Sequence, residues 1–389
     1  MRHRLESIRL RGYRPFRDLV AEFDPLVVMV GANGAGKSSL FEFFRFLRDS
    51  VHSEIPPEIV PGAVGQKIFH VGGPERFWWS LDVDTGEQVP LRYQGELIGP
   101  VREKRIAREQ VKTARPLGDH EDPYVFMNVH DQSGVVQNVE GELESQDIEL
   151  QRPNQLALGA MTNPKLTTLY ELREYIHGWR FYNAFDIDNR AIRKSVPIEQ
   201  DPILHEDASN LSSVLHSLMT EHPDAFDKLE RHLRRAVPGF QGLNVLPRGA
   251  PGEVIAFWQE ESIDEKLSLA DLSDGILRLI CWMTLAIQPD PPSLICIDEP
   301  AQGVHPRTLP ILAGLFRKAA SRTQLLLATH SSYFLSQFDA DEIAVMRKQE
   351  GQATYNRPSD SEVLSEMLDD FGPQELQAMH RSDELEALS

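Results

Sequence analysis

The first thirty residues alternate apolar and polar in the manner of half-buried strands, with Leu5, Ile8 and Leu10 followed by Leu19, Ala21 and Phe23. The alternation then gives way to a continuous run, Leu26-Val27-Val28-Met29-Val30, that stops at Gly31. A short β-branched run bounded by glycine predicts a strand buried on both faces. After a glycine-rich turn, apolar residues recur at helical spacing over 38–48, so a strand–turn–helix unit is expected. Between 51 and 150, Gly and Pro interrupt short strand-like runs at 77–83 and 124–127. This predicts a β-rich lobe, irregular around 110–123 and 130–150. Helical spacing covers 210–218 and 224–237, the second stretch stopped by Pro238-Gly239. A few strands are expected over 241–270. From 271, helix and strand alternate (276–287, 293–297, 309–320, 324–328), which is the α/β pattern of a mostly parallel sheet. The last 30 residues are acidic and helix-prone.

Composition narrows the class. The 389 residues are 41% hydrophobic and 25% charged, as expected of a soluble globular chain. No run approaches the roughly 18 apolar residues of a membrane helix, and the N-terminus lacks the apolar stretch of a signal peptide. Cys281 and Cys296 lie among apolar residues and read as core positions in a reducing cytoplasm. The net charge of −19 argues against a chain that coats nucleic acid over its whole surface, but it leaves room for a local basic groove. The clusters weighed are Arg102/Lys104/Arg105/Arg108, Arg190/Arg193/Lys194 and Arg231/Arg234/Arg235. For any one of them, a solvated helix face is the plainer reading.

Four motifs carry chemistry. Gly31-Ala32-Asn33-Gly34-Ala35-Gly36-Lys37-Ser38 fits G-x-x-x-x-G-K-[ST] between a strand and a helix. Its glycines let backbone N–H groups turn inward around phosphate oxygens, and the helix N-terminus adds positive potential. Lys37 would reach the β- and γ-phosphates and the Ser38 hydroxyl would ligate Mg²⁺, with Asn33, Gly34, Ala35, Gly36 and Ser39 completing the cradle. The second motif is an apolar run ending in Asp298-Glu299-Pro300, a buried strand that delivers two acids at its tip. Asp298 is expected to hold Mg²⁺ and Glu299 to act as general base toward water. In Leu272-Ser273-Asp274-Gly275, a Ser and a Gly open a helix and offer donors to an anion, although alone they read as a plain N-cap. In the fourth, Ala328-Thr329-His330-Ser331 ends a buried strand in a histidine placed to bond a γ-phosphate. Thr329-His330-Ser331 is not read as a hydrolase triad, and Asp186-Ile187-Asp188 reads as a turn rather than a metal site.

In this order the four motifs resemble the ABC-type P-loop ATPase heads of the SMC/RecF-like group, and more closely the compact bacterial AAA_21-type ATPases. Residues 10–16 resemble that family's N-terminal segment, and 179–182 and 207–211 resemble its inter-motif landmarks. The resemblance implies ATP and Mg²⁺ as cofactors, Glu299 and His330 as catalytic residues, and Ser38 and Asp298 as metal ligands. It also implies that Arg14 touches nucleotide phosphates, and that Ser273 and Gly275 contact the γ-phosphate bound to a second copy. Gly303-Val304-His305-Pro306 matches the D-loop region. Two departures stand out: Asp274 replaces the second signature glycine, and Ala301-Gln302 replaces the usual acidic continuation. Gln66 and Gln94 are the candidates for the glutamine loop.

The expected fold is an α/β P-loop head of ABC/SMC type without a long coiled coil. Residues 1–50 and 265–347 would build the head, 51–165 a β-rich lobe, 166–264 a helical insertion, and 348–389 an acidic tail. The expected function is an ATPase that dimerises head to head around ATP, in phage defence or DNA repair. Its partners would be a second copy, a separate effector protein, and DNA or RNA through a basic groove, with no membrane. The 59 residues after His330 are too few for a nuclease domain once the head is complete, which is why the effector is expected to be separate. The alternative is a non-catalytic, nucleotide-dependent scaffold.

Overall fold

The computed structural model describes residues 3–55, 68–100, 103–118, 120–138, 145–185, 191–261 and 263–358. They form two compact units. One comprises the residues up to Trp179 together with those from Asp341 onward, and the other is Arg180–Ala340.

The first unit opens with β1 (Arg4–Tyr13), β2 (Phe16–Glu22), β3 (Leu26–Val30) and α1 (Lys37–His52). There follow β4 (Arg76–Asp84), β5 (Leu91–Ile98), β6 (Arg105–Thr113), β7 (Val125–His130), β8 (Ser133–Val136), β9 (Gln146–Glu149) and α2 (Thr167–His177). An antiparallel sheet of eight strands runs β2-β1-β4-β5-β6-β7-β8-β9. Alternation decides its faces. Leu5, Ile8 and Leu10 of β1 are buried, whereas Arg9 and Arg11 turn outward and both bond Asp18 on β2, at 2.8 and 3.1 Å. The predicted helix over 38–48 is α1, and its Phe43 and Phe46 pack edge-on against Phe77 of β4 at 6.3 and 5.7 Å between ring centres.

The stretches expected to be partly irregular, 110–123 and 130–150, hold strands at their ends, with none between Thr113 and Val125 among the described residues. β6 continues through Thr113, and β8 and β9 pair with each other. Two polar residues of β6 have partners within the fold, which apolar periodicity does not register. Gln110 bonds Asn128 on β7 at 3.2 Å. Glu109 is fully buried and accepts from the Tyr93 hydroxyl and from the backbone N–H groups of Ala157 and Leu158. Burial pushes the Glu109 carboxyl up to about 7, against the opposing pull of those three donors. Arg105 and Arg108 lie on this strand, a correction to the helix-face reading of their cluster, while Arg102 lies outside the described residues. Gln94 is on β5, where its amide bonds Ser80 at 3.3 Å, and Gln66 lies outside the described residues.

The second unit holds β10 (Arg180–Tyr182), β11 (Val196–Pro197), α3 (Leu211–Glu221), α4 (Pro223–Ala236), β12 (Phe240–Pro247), β13 (Glu253–Glu260) and β14 (Ile263–Ser268). It continues with α5 (Asp274–Ile287), β15 (Leu294–Asp298), α6 (Leu309–Ala319), β16 (Gln324–Ala328) and α7 (Ser332–Leu335). β15 and β16 run parallel, as the helix–strand alternation after 271 predicts, and β10 joins them in parallel beside β15. α5 is apolar on nearly every side and accordingly buried. Its Trp282 lies 4.3 Å from Phe185 and 6.4 Å from Phe316 between ring centres. Cys281 and Cys296 are buried and unbridged, and burial pushes the Cys281 thiol well up.

The chain then re-enters the first unit as β17 (Ile343–Gln349) and β18 (Gln352–Asn356). β17 lies parallel beside β3, with Ile343 opposite Val28, so the two ends of the sequence share one ladder. Residues 359–389, the acidic helix-prone stretch, and Asp186–Asp188 lie outside the described residues.

Candidate functional site

Every residue of β3 is buried, and the chain leaves it through a loop that only glycine can trace. Gly34 and Gly36 have φ of 81° and 113°, in the region L side chains avoid. A Cβ on Gly31 would lie 2.1 Å from the Met346 carbonyl oxygen. Lys37 is 5% exposed, and its ammonium donates to the carbonyls of Gly31 at 2.5 Å and Ala32 at 3.3 Å. The charge is thereby held against the loop rather than out in solvent. Gly36 caps α1 without a side chain, and the first turn carries no acid. The positive end of the helix is therefore not offset by an acid of its own first turn. Ser38, Asn33 and Gly34 are exposed, Ser39 is half-buried and Ala35 is buried. Arg14, at φ 47°, forms an ion pair with Glu42 of α1, and its carbonyl lies 3.0 Å from His70 Nδ1.

In the second unit, β15 and β16 end side by side, with Asp298 opposite Ala328. Glu299 follows with φ 56°, a left-handed backbone that costs a non-glycine residue about 1 kcal/mol or more. Its N–H donates to the Ala328 carbonyl at 2.8 Å, which fixes the turned backbone to the neighbouring strand tip. The Glu299 carboxylate lies 3.9 Å from His330 Nε2. Thr329 is buried and accepts from Ser331 N–H at 3.0 Å, and Ser331 in turn caps α7 by accepting from Phe334 N–H at 3.2 Å. His330 is thus held between two anchored neighbours, beside a carboxylate suited to taking a proton from water.

Ser273 caps α5, its hydroxyl accepting from Ile276 N–H over a long 3.5 Å. Gly275 permits a close approach, because a Cβ there would lie 2.9 Å from the Gly303 carbonyl in the predicted D-loop region. Sequence reasoning missed what holds this segment. Arg193 Nη1 lies 3.0–3.2 Å from the carbonyls of Leu269, Ala270 and Leu272, and Nη2 bonds Asp274 at 2.6 Å. Arg193 therefore does not stand on a solvated helix face, the plainer reading of its cluster, while Lys194 is exposed and Arg190 lies outside the described residues. Arg231, Arg234 and Arg235 are exposed on α4, with Arg234 paired to Glu230 at 2.8 Å.

The chain as a whole has counterparts among known proteins. A family model described as "AAA domain, putative AbiEii toxin, Type IV TA system" matches residues 26–336. The chain belongs to the AAA_21 family. Its fold is shared with SMC heads. It is similar to an Smc head bound to the C-winged helix domain of ScpA, at 12% identity and TM-score 0.56, covering 90% of this chain and 97% of that one. It is also similar to an Smc head with an extended coiled coil bound to the C-terminal domain of ScpA, from Pyrococcus furiosus. That likeness has 10% identity and TM-score 0.55 and covers 94% and 99% of the two chains. At such identities the likeness shows the fold alone, an α/β P-loop head. No curated protein matches. Among the described residues no helix of this AAA_21 chain is long and apolar enough to cross a membrane.

Proposed function

We propose that this AAA_21 chain is an ATPase that binds Mg-ATP and pairs with a second copy around the nucleotide. The observation that carries the reading is the loop at 31–38, where an uncapped, acid-free helix start and the buried Lys37 ammonium form a cradle for phosphate. In this reading Lys37, Asn33–Ser39 and the first-turn N–H groups bind the phosphates, and Arg14 assists once it leaves Glu42. Mg²⁺ would be held by the Ser38 hydroxyl and the Asp298 carboxylate, hard oxygen donors of the kind it prefers, and would neutralise phosphate charge. Glu299 takes the proton of the attacking water, and His330 orients against the γ-phosphate. Ser273 and Gly275 serve the nucleotide of the second copy.

The catalytic version of this reading is supported over a non-catalytic scaffold by the Glu299–His330 pair, since a pure binder has no use for a strained carboxylate beside a histidine. In this reading the chain serves in defence or DNA repair with a separate effector protein, and the family description, which names a "putative AbiEii toxin", supports the defence role. The test is Glu299→Gln. Turnover should fall by on the order of 10²–10³-fold while ATP is still bound, and light scattering with Mg-ATP should show a dimer that outlasts that of the wild type. Wild-type turnover in this variant would remove Glu299 from the reaction. A wild-type protein that binds ATP without hydrolysing it would establish the scaffold instead.

A further inference from the structure

The signature segment carries an electrostatic problem. Ser273 and Gly275, the two residues assigned to the γ-phosphate of a second copy, flank Asp274, which brings a carboxylate to the approach of an anion. Asp274 also stands in the first turn of α5, where an acid cancels the helix's own pull on phosphate. The structure pairs this liability with a specific answer. Arg193 Nη2 binds the Asp274 carboxylate at 2.6 Å, while Nη1 lies within 3.2 Å of the carbonyls of Leu269, Ala270 and Leu272. Those carbonyls belong to a short turn that is already closed on itself. Ser268 donates to Asp271 from its backbone N–H at 2.9 Å and from its hydroxyl at 2.6 Å. The guanidinium therefore grips a preformed turn with one nitrogen and the acid with the other. It is itself largely covered, its side chain 21% exposed. Nη1 has two N–H groups for its three carbonyls, so one N–H is shared, and Nη2 donates to the acid.

We propose that Arg193 is a positioning residue of the signature segment: it neutralises Asp274 and holds the carbonyls of 269–272, so that Ser273 and Gly275 can approach the phosphate of a second copy. This rests on the pairing reading above and adds the reason that an acid is tolerated where related heads carry glycine. The consequence is reciprocal. Without Arg193 the acid repels the incoming nucleotide, and without the acid the arginine is no longer needed for charge.

The test uses the full-length chain with two readouts, binding of a fluorescent ATP analogue to the single copy and light scattering for ATP-dependent pairing. Arg193→Met should weaken pairing tenfold or more and leave single-copy binding within twofold. Asp274→Asn, which keeps Arg193 on the three carbonyls, should pair as well as wild type or better. The double variant should recover part of the pairing lost in Arg193→Met, the part due to charge, while its melting temperature stays as low as that of the single variant. The inference is overturned if Asp274→Asn pairs more weakly than wild type, or if the double variant pairs no better than Arg193→Met. Ser273→Arg separates the two readings. It must abolish pairing if the signature works as proposed, and pairing by that variant would remove the premise rather than the role of Arg193.

Discussion

Two helices begin at motifs read as phosphate contacts, and their first turns are built in opposite ways. α1 starts from Gly36 in a left-handed conformation, with no capping side chain and no acid, and its first residue is a buried lysine. α5 starts from a serine that spends its hydroxyl on Ile276 N–H and is followed at once by Asp274. The first start has no capping side chain and no acid of its own, whereas the second has both. In the proposed reading a start of the first kind takes an anion unaided, and one of the second kind does so only with Asp274 neutralised by Arg193. The contrast fits an order of events in which each copy loads ATP at α1 before α5 of another copy can contribute.

The largest expected effect removes what sets α1 apart. Lys37→Ala takes away the buried ammonium and leaves its space empty inside the loop. ATP affinity measured by titration should fall by on the order of 10²–10³-fold, with pairing lost as a consequence. Retained affinity would mean that the loop geometry alone binds phosphate and that the two helix starts differ less than their residues imply.

That contrast was only half legible in the sequence. The strand–loop–helix unit could be read directly, because the apolar run at 26–30, the glycines and Lys37 are contiguous, and each has a local conformational reason. The tips of β15 and β16 were legible on the same grounds, since five-residue buried strands ending in acids or a histidine carry their own pattern. The clamp on α5 was not. Arg193 meets Asp274 across 81 positions, and its other partners are backbone carbonyls, which leave no mark in sequence. Beside Arg190 and Lys194 it looked like part of a basic surface. The Arg14–Glu42 pair and buried Glu109 escaped for the same reason, because a charge that is satisfied by distant partners looks the same in sequence as one facing water.

A smaller effect comes from making α1 resemble α5. Ser39→Asp places an acid in the first turn of α1, where it should raise helix stability through the dipole and oppose phosphate through its charge. ATP affinity should drop about tenfold at low salt, with part of the loss recovered at higher ionic strength, while the melting temperature rises or holds. Equal affinity across salt concentrations would show that the acid-free first turn of α1 is incidental.

The smallest effect comes from Ser273→Ala, which distinguishes capping from phosphate contact at α5. The bond to Ile276 N–H is long, at 3.5 Å, and α5 is held mainly by its packing around Trp282. Loss of an N-cap costs about 0.5–2 kcal/mol, and a bond this weak belongs at the low end of that range. In a chain of this size the melting temperature should therefore fall by no more than about 1–2 °C. If Ser273 were only a cap, ATP-dependent pairing would follow that small change. If it contacts the phosphate of a second copy, pairing should weaken severalfold while the melting curve scarcely moves. The two roles use different parts of the hydroxyl, because its oxygen accepts from Ile276 N–H while its hydrogen is what it would donate to a phosphate oxygen, so the cap need not break when the phosphate arrives.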